Sequence, residues 1–281
     1  MTAISFHVGL NRVSAAHYGS ERPLKGAVAD AEAMQAIAEA RGFSSTLVLN
    51  EAATVSTVAD AIRQAAARLG PGDTFFFSYA GHGAQLFDSS GGEPDSLDET
   101  TCLYDRMLLD DEIHGLFLGF LEGVRLLFIT DSCHSASASR EAMALPALEF
   151  DIPPEEVIPY PPENELSFRA LTVEQSRPVY AQNADRYREA KALSSAYRNI
   201  ELKCSLQHFA ACQDNQLAAD GVGNGYFTQQ ILHHWHDGGF EGTYEDFFRV
   251  IERAMPVRQR PNRKLSGEPV AAFVSGRPFS T

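Results

Sequence analysis

Two short, almost unbroken apolar runs constrain this chain most. They are Asp73-Thr-Phe-Phe-Phe-Ser-Tyr-Ala and Arg125-Leu-Leu-Phe-Ile-Thr-Asp. Each is too short for a core helix and is bounded by turn residues, which reads as a strand buried on both faces. Strands of that kind belong to parallel sheets covered by helices on both sides. The first run stops at Gly81-His82-Gly83 and the second at Ser132-Cys133-His134-Ser135. Both therefore end in residues that can do chemistry.

The rest of the chain supplies matching partners. Ile4-Ser-Phe-His-Val-Gly and Thr46-Leu-Val-Leu-Asn read as strands. Residues 26–41 read as a helix, with Val28, Ala31, Met34 and Ile37/Ala38 on one face and Gly42 as its C-cap. A second helix is predicted over 55–69 through Val58, Ile62, Ala65 and Leu69. The stretch 84–101, rich in Ser, Gly, Asp and Glu, reads as an exposed loop. Residues 140–195 carry prolines at 153, 154, 159, 161 and 162 and read as a long irregular insert. Gln207-His-Phe-Ala-Ala-Cys is a further strand, and a helix over 224–236 runs through Phe227, Ile231 and Trp235. Thr243 and Asp246 form a capping-box start for a helix carrying Phe247, Ile251 and Met255. Pro269-Val-Ala-Ala-Phe-Val is predicted as the last strand. This β-α-β-α-β order predicts an α/β fold with a mostly parallel sheet. Ligands of such sheets bind beyond the carboxyl ends of the strands, where His82 and Cys133 both fall.

Composition removes several function classes. Acidic residues outnumber basic ones, 37 to 23, for a formal net charge of −14. That argues against nucleic acid or an anionic membrane as partner, since both demand clustered Lys and Arg. There is no apolar run of 18 residues and no basic segment followed by an apolar leader, so a cytosolic protein is expected. The four cysteines, at 102, 133, 204 and 212, match no zinc spacing. As free thiols in a reducing compartment they leave one available as a nucleophile.

Thiolate is the attacking form of cysteine, and a neighbouring imidazole can take its proton. Alone, Gly-His-Gly reads as a turn, a cysteine after a strand as an inert core residue, and Asp131 as a helix-start carboxylate. At matching strand ends, His82 and Cys133 together read as a base and a nucleophile. His134 is nearer in sequence, but neighbours on a tight turn point apart. The amides of Gly83 and Cys133 are the candidate oxyanion donors.

Tyr79-Ala-Gly-His-Gly-Ala-Gln resembles the histidine motif of metacaspases and bacterial caspase-like peptidases, and Asp131-Ser-Cys-His-Ser resembles their cysteine motif. The 51-residue step from His82 to Cys133 matches the caspase interval. Gly26-Ala-Val-Ala-Asp30-Ala resembles the family's first conserved block. Ala210-Ala-Cys-Gln-Asp214 with Gly223-Asn-Gly-Tyr-Phe-Thr228 resembles its small-subunit half. The resemblance implies a caspase-like, doubly wound, mostly parallel six-stranded sheet in a single domain over 1–281. Residues 1–139 would be the catalytic half, 140–195 the linker and 196–281 the small-subunit half. It also implies a monomer that hydrolyses protein or peptide substrates after Arg or Lys.

Under this resemblance Asp30 and Asp131 bind the basic side chain, a pairing that suits guanidinium or ammonium. Read alone, Asp30 is a solvated carboxylate favouring a helix start. Ala80, Ala27 and Ala136 stand where relatives often carry Ser, Cys and Gly. Calcium often activates the family, and the acids that would hold it here are Asp98, Asp110 and Asp111, near Asp95, Glu99 and Glu112. An acidic loop is otherwise a solvated face. The insert offers Arg140, Arg169, Arg177, Arg186, Arg188, Lys191 and nearby Arg198 as places where a basic-specific enzyme could cut itself. The alternatives are an inactive caspase-like interaction module, a caspase-like peptidase of other specificity, and an unrelated flavodoxin-like domain.

Overall fold

The computed structural model describes residues 1–87, 97–133, 151–162, 164–213 and 216–281. Strands β1 (Ala3–Gly9), β2 (Ser44–Leu49) and β3 (Thr74–Ala80) are followed by β4 (Gly83–Phe87), β5 (Leu97–Cys102) and β6 (Met107–Leu109). Next come β7 (Arg125–Asp131), β8 (Ser167–Phe168), β9 (Ser205–Ala210), β10 (Ala219–Asp220) and β11 (Asn262–Ser266). The helices are α1 (Ala15–Tyr18), α2 (Ala27–Ala40), α3 (Val55–Arg68), α4 (Asp110–Phe117) and α5 (Val173–Gln182). They continue with α6 (Ala184–Ser194), α7 (Tyr226–Trp235), α8 (Tyr244–Ala254) and α9 (Ala271–Val274).

Among the described residues the main sheet has six strands in the order β11-β9-β7-β3-β1-β2. All neighbours are parallel except β11 on β9. Period-two alternation divides each central strand between two cores. Phe75, Phe77, Leu126 and Phe128 face one cluster with Val58 and Ile62 of α3 and Phe117 of α4. Phe76, Leu127 and Ile129 face the other, with Met34 of α2, Ile231 of α7 and Phe247 of α8. Each fully buried aromatic or aliphatic side chain contributes about 1.5–3 kcal/mol, so the two apolar runs anchor both layers at once.

Three expectations need correction. The two ends of the stretch 84–101 are strands that pair antiparallel: β4 pairs with β5, and β5 with β6. Polar residues at its centre mask the strands on either side. The insert holds two helices, α5 and α6, the first opened by a capping box of Thr172 and Gln175. These helices bury few apolar residues, Val179, Tyr187 and Ala190, so their periodicity is faint. The last strand is β11, not 269–274. As an edge strand with one neighbour it keeps polar residues such as Arg263 and Lys264. Residues 271–274 instead turn helically and bury Phe273 against Tyr244. No helix of the described residues is long and apolar enough to cross a membrane.

Candidate active site

β3 and β7 lie side by side, with Ala80 level with Asp131. His82 and Cys133 each follow that aligned pair by two residues, at the same carboxyl edge of the sheet. Gly81 N–H donates to the Asp131 carbonyl at 3.3 Å, which carries the pairing one step past the strands.

His82 is buried and tightly framed. Its Nε2 lies 2.9 Å from the carbonyl oxygen of Arg22. A carbonyl only accepts, so Nε2 carries the proton and Nδ1 the lone pair. Nδ1 is buried with no hydrogen-bond partner among the described residues. Arg22 adopts φ 48°, a left-handed backbone that costs a non-glycine residue about 1 kcal/mol or more. That is the residue whose carbonyl selects the imidazole tautomer. Tyr79 Oη donates between the carbonyls of His82 and Cys102, at 2.7 and 2.8 Å. Burial lowers the His82 pKa to about 4, with the Arg22 hydrogen bond opposing and Arg169 assisting. At neutral pH the ring is an uncharged base.

Cys133 is fully buried. Its Sγ accepts from the Ala218 N–H. Cys212 lies beside it, and a hydrogen bond to Cys133 together with burial pushes the Cys212 thiol well up. Cys212 therefore stays protonated and does not compete as a nucleophile.

The two acids expected to bind a basic side chain come together, and a third joins them. Asp30 of α2, Asp131 at the end of β7 and Asp220 of β10 surround the Arg169 guanidinium, and all four side chains are buried. Arg169 Nη1 is 2.5 Å from Asp30 Oδ2 and 3.1 Å from Asp131 Oδ1, and Nη2 is 2.9 Å from Asp220 Oδ1. The backbone frame holds each carboxylate in place. Asp30 Oδ1 accepts from Gly225 N–H and Asn224 Nδ2, both at 2.9 Å. Asp131 Oδ2 accepts from Thr228 N–H at 3.0 Å and Thr228 Oγ1 at 2.7 Å. Asp220 accepts from the N–H groups of Lys25 and Gly26 at 2.7 and 3.1 Å.

Two glycines leave room for the guanidinium. A Cβ on Gly225 would lie 2.7 Å from Arg169 Cζ and from Asp131 Oδ2, and one on Gly26 would lie 3.0 Å from Arg169 Nη2. Burial raises the Asp30 pKa to about 6; Arg169 opposes this and Asp131 reinforces it. Burial alone would lower the Arg169 pKa, but the three carboxylates outweigh it and drive it up.

The backbone around Arg169 is as well defined as its side chain. Phe168 pairs with Ala219 and Ser167 with Asp220, antiparallel. Arg169 N–H donates to Ala218 O at 3.1 Å. Its carbonyl oxygen accepts from Gly83 N–H at 2.9 Å and Cys133 N–H at 3.2 Å. The two amides expected as oxyanion donors thus converge on one carbonyl. Leu171 N–H then donates to Gly83 O at 2.8 Å. An extended segment crosses the sheet edge, with a basic side chain in an acidic well and its carbonyl on two N–H groups.

Among the described residues, the expected calcium acids make no comparable cage. Asp110 opens α4 and its Oδ1 accepts from Asp111 N–H at 2.9 Å. Asp111 is held by Arg198, with Nε 3.0 Å and Nη2 2.9 Å from Oδ2. Glu112 is held by both Nη atoms of Arg106 at 2.7 Å. Among the described residues no three His, Cys, Asp or Glu side chains converge on a metal position. The donors described do not fit calcium. The side chain of Asp98 lies outside the described residues, as do Asp95, His134, Ala136 and Arg140.

Comparison with known proteins now bears on this geometry. The caspase domain model matches residues 13–273. The chain belongs to the caspase family of cysteine peptidases. Metacaspase-1 of Schizosaccharomyces pombe is 27% identical over 236 residues, covering 77% of this chain and 53% of that protein. Metacaspase-1 of Ajellomyces capsulatus is 45% identical over 73 residues, 24% of this chain and 20% of that one. The chain thus spans about half, or less, of the curated relatives it matches. Among solved structures, protein GSU0716 from Geobacter sulfurreducens superposes with a TM-score of 0.85 at 39% identity, covering 100% of this chain and 99% of that one. Caspase-1 from Spodoptera frugiperda matches at TM-score 0.50 and 11% identity over 94% of this chain and 86% of that one, which shows the shared fold. The family bears out the metacaspase-like resemblance and the six-stranded, mostly parallel sheet.

Sequence reading missed Asp220 and gave Arg169 only as one of several basic residues. The signal was faint in both cases. Asp220 ends Leu-Ala-Ala-Asp and Arg169 interrupts Phe-Arg-Ala-Leu, each a single charge in an apolar context. Such a charge is rarely buried without a partner.

Proposed function

We propose that this caspase-family protein is an endopeptidase that cleaves peptide bonds after Arg or Lys. The observation that carries the reading is the Asp30–Asp131–Asp220 well around a guanidinium whose own carbonyl rests on Gly83 and Cys133 N–H. A well with three carboxylates against one cation is favourable for Arg or Lys and repels an Asp side chain in the same place. In this reading Cys133 is the nucleophile and His82 Nδ1 its base, with Nε2–H anchored on Arg22. The paired N–H groups stabilise the oxyanion as the thioester forms, a contribution worth about 3–4 kcal/mol per donor in comparable enzymes. Substrate backbone would add a short strand along Ala218–Asp220, so affinity comes from main-chain pairing and specificity from the well. The expected partners are protein or peptide substrates with Arg or Lys before the cut. Calcium is given no role in this proposal; of the described acids at the start of α4, Asp111 pairs with Arg198 and Glu112 with Arg106.

The test uses the Arg169→Ala protein, whose well is not filled by its own chain. Fluorogenic peptides with Arg, Lys or Asp before the leaving group are compared. Hydrolysis of the Arg and Lys peptides and none of the Asp peptide is expected. Hydrolysis of the Asp peptide alone would overturn the specificity.

A further inference from the structure

We infer that Asp220 reads two substrate positions at once: the basic residue before the cut, and the residue two places ahead of it. At that second position it selects a side chain that donates a hydrogen bond and refuses a carboxylate. The inference rests on the specificity proposed above and extends it from one residue to a short motif, a hydrogen-bond donor, any residue, then Arg or Lys.

The chain itself shows how an extended segment lies against the well. β8 leads into Arg169 and runs antiparallel to β10, with Phe168 level with Ala219 and Ser167 level with Asp220. Side chains alternate along an extended strand, so Ser167 and Arg169 face one way and Phe168 the other. Asp220 reaches both of the first two. Its Oδ1 accepts from Arg169 Nε at 3.2 Å and Nη2 at 2.9 Å. Its Oδ2 accepts from Ser167 Oγ at 3.4 Å. The other two acids turn their second oxygens elsewhere: Asp30 Oδ1 accepts from Asn224 and Gly225, and Asp131 Oδ2 from Thr228.

Asp220 is held in this place by groups outside β8. Lys25 N–H donates to Oδ2 at 2.7 Å and Gly26 N–H to Oδ1 at 3.1 Å. The strand that carries it is pinned by Gln259, whose amide is fully buried. Gln259 Oε1 accepts from Ala219 N–H at 3.1 Å and from Tyr160 Oη at 3.0 Å, and Nε2 donates to the Ala211 carbonyl at 3.3 Å. A peptide that pairs with β10 in the same register therefore meets Asp220 two residues before its basic residue. A carboxylate only accepts hydrogen bonds. A hydroxyl at that position donates to Oδ2, and a methyl group does not. A second carboxylate there sets like charge against like, in a site that already gathers three acids around one cation.

The test uses the protein carrying Arg169→Ala and Ser167→Ala, in which both positions facing Asp220 are free for a peptide. Fluorogenic peptides ending in Arg are compared that differ only two residues ahead of it, where they carry Ser, Ala, Gln or Glu. The Ser peptide should exceed the Ala peptide in kcat/KM by about threefold, the scale of one hydrogen bond exchanged with water. The Glu peptide should fall about tenfold below the Gln peptide, which has the same shape and no charge. Asp220→Asn in the same background should bring Glu and Gln within about twofold of each other, because the neutral amide removes the repulsion. A second readout needs no turnover and leaves Asp220 unchanged. In the Cys133→Ala protein with Arg169 in place, Ser167→Glu should unfold at a lower temperature than Ser167→Gln. Equal kcat/KM for the Glu and Gln peptides, a gap between them that survives Asp220→Asn, or equal unfolding temperatures for the two Ser167 variants would each overturn the inference. Should Asp220→Asn fail to fold, the other two comparisons decide. Arg peptides cut alike whatever stands at the second position sink this inference and leave the basic specificity standing. Hydrolysis only of peptides with Asp before the leaving group sinks the specificity itself.

Discussion

Among the described residues two acidic clusters invite a cation, and they solve the problem differently. Around Arg169, three carboxylates share one guanidinium in a dry well, and each has an oxygen already fixed by a backbone or side-chain donor. At the start of α4, Asp111 and Glu112 each pair with one arginine of their own, and Arg198 is half exposed. The first arrangement leaves excess negative charge pointing at a cavity sized for a flat cation. The second is closed one-to-one pairing, with Arg106 and Glu112 mostly buried and only Arg198 reaching well into solvent. An acid cluster signals recognition when its charge is uncompensated by fixed partners and its geometry is held from behind. Proximity of acids in sequence is not enough.

The largest effect should come from removing the nucleophile beside the first cluster. Cys133→Ala should lower turnover of Arg peptides by at least about 10³-fold, measured in the Arg169→Ala background. A loss below tenfold would break the assignment of Cys133. Next, Asp131→Asn or Asp220→Asn in that background should reduce kcat/KM for Arg peptides by about 30- to 1000-fold, since removing one partner of a buried charge pair costs about 2–4 kcal/mol. Equal losses on an uncharged peptide would show that the acids support the fold rather than the specificity.

Acidity gives a smaller and graded test. Asp30 has its pKa raised to about 6 by burial, and the well attracts a cation more strongly while that carboxylate is ionised. Capture of Arg peptides should therefore weaken on acidification, by at most tenfold per unit, and Asp30→Asn should flatten that limb. The stability effect runs the other way. A carboxyl raised above its unfolded value stabilises the folded state fully below about 4, and that contribution is lost as pH rises through about 6. His82 has the opposite sense: its pKa is lowered to about 4, so its share of stability is present above about 6.5 and lost on acidification. A thermal-shift series across pH 4–8 on wild type and Asp30→Asn separates the two.

The smallest effect belongs to the second cluster. Arg198→Ala should cost at most about 1 kcal/mol of stability. Calcium or a chelator should alter wild-type peptide turnover by less than twofold. A calcium response that appears only in Arg198→Ala would sharpen the contrast, because it would show that an arginine stands in for an ion; a strong response in wild type would break it.

Much of the architecture was readable in advance because burial on two faces leaves an unmistakable apolar run. β3 and β7 announced themselves in this way, and their stops placed His82 and Cys133 at one sheet edge before any coordinates. The amphipathic faces of α2 and α3 were equally plain. β11 was not, since an edge strand with a solvated side keeps Arg263 and Lys264 and looks like loop. Nor were α5 and α6, which dock through a few residues such as Val179 and Tyr187.

Local pattern alone determined the paired apolar strands and set His82 and Cys133 at their ends, while the family resemblance pointed to Asp30 and Asp131. Tertiary structure alone decided that Asp220 completes the well, that Arg22 selects the His82 tautomer, and that Arg169 occupies the site with its carbonyl on Gly83 and Cys133. The physical reason is range. Periodicity and strand burial are written into neighbours a few residues apart. A charge buried among partners 38 to 139 positions away leaves no local trace until the chain has folded around it.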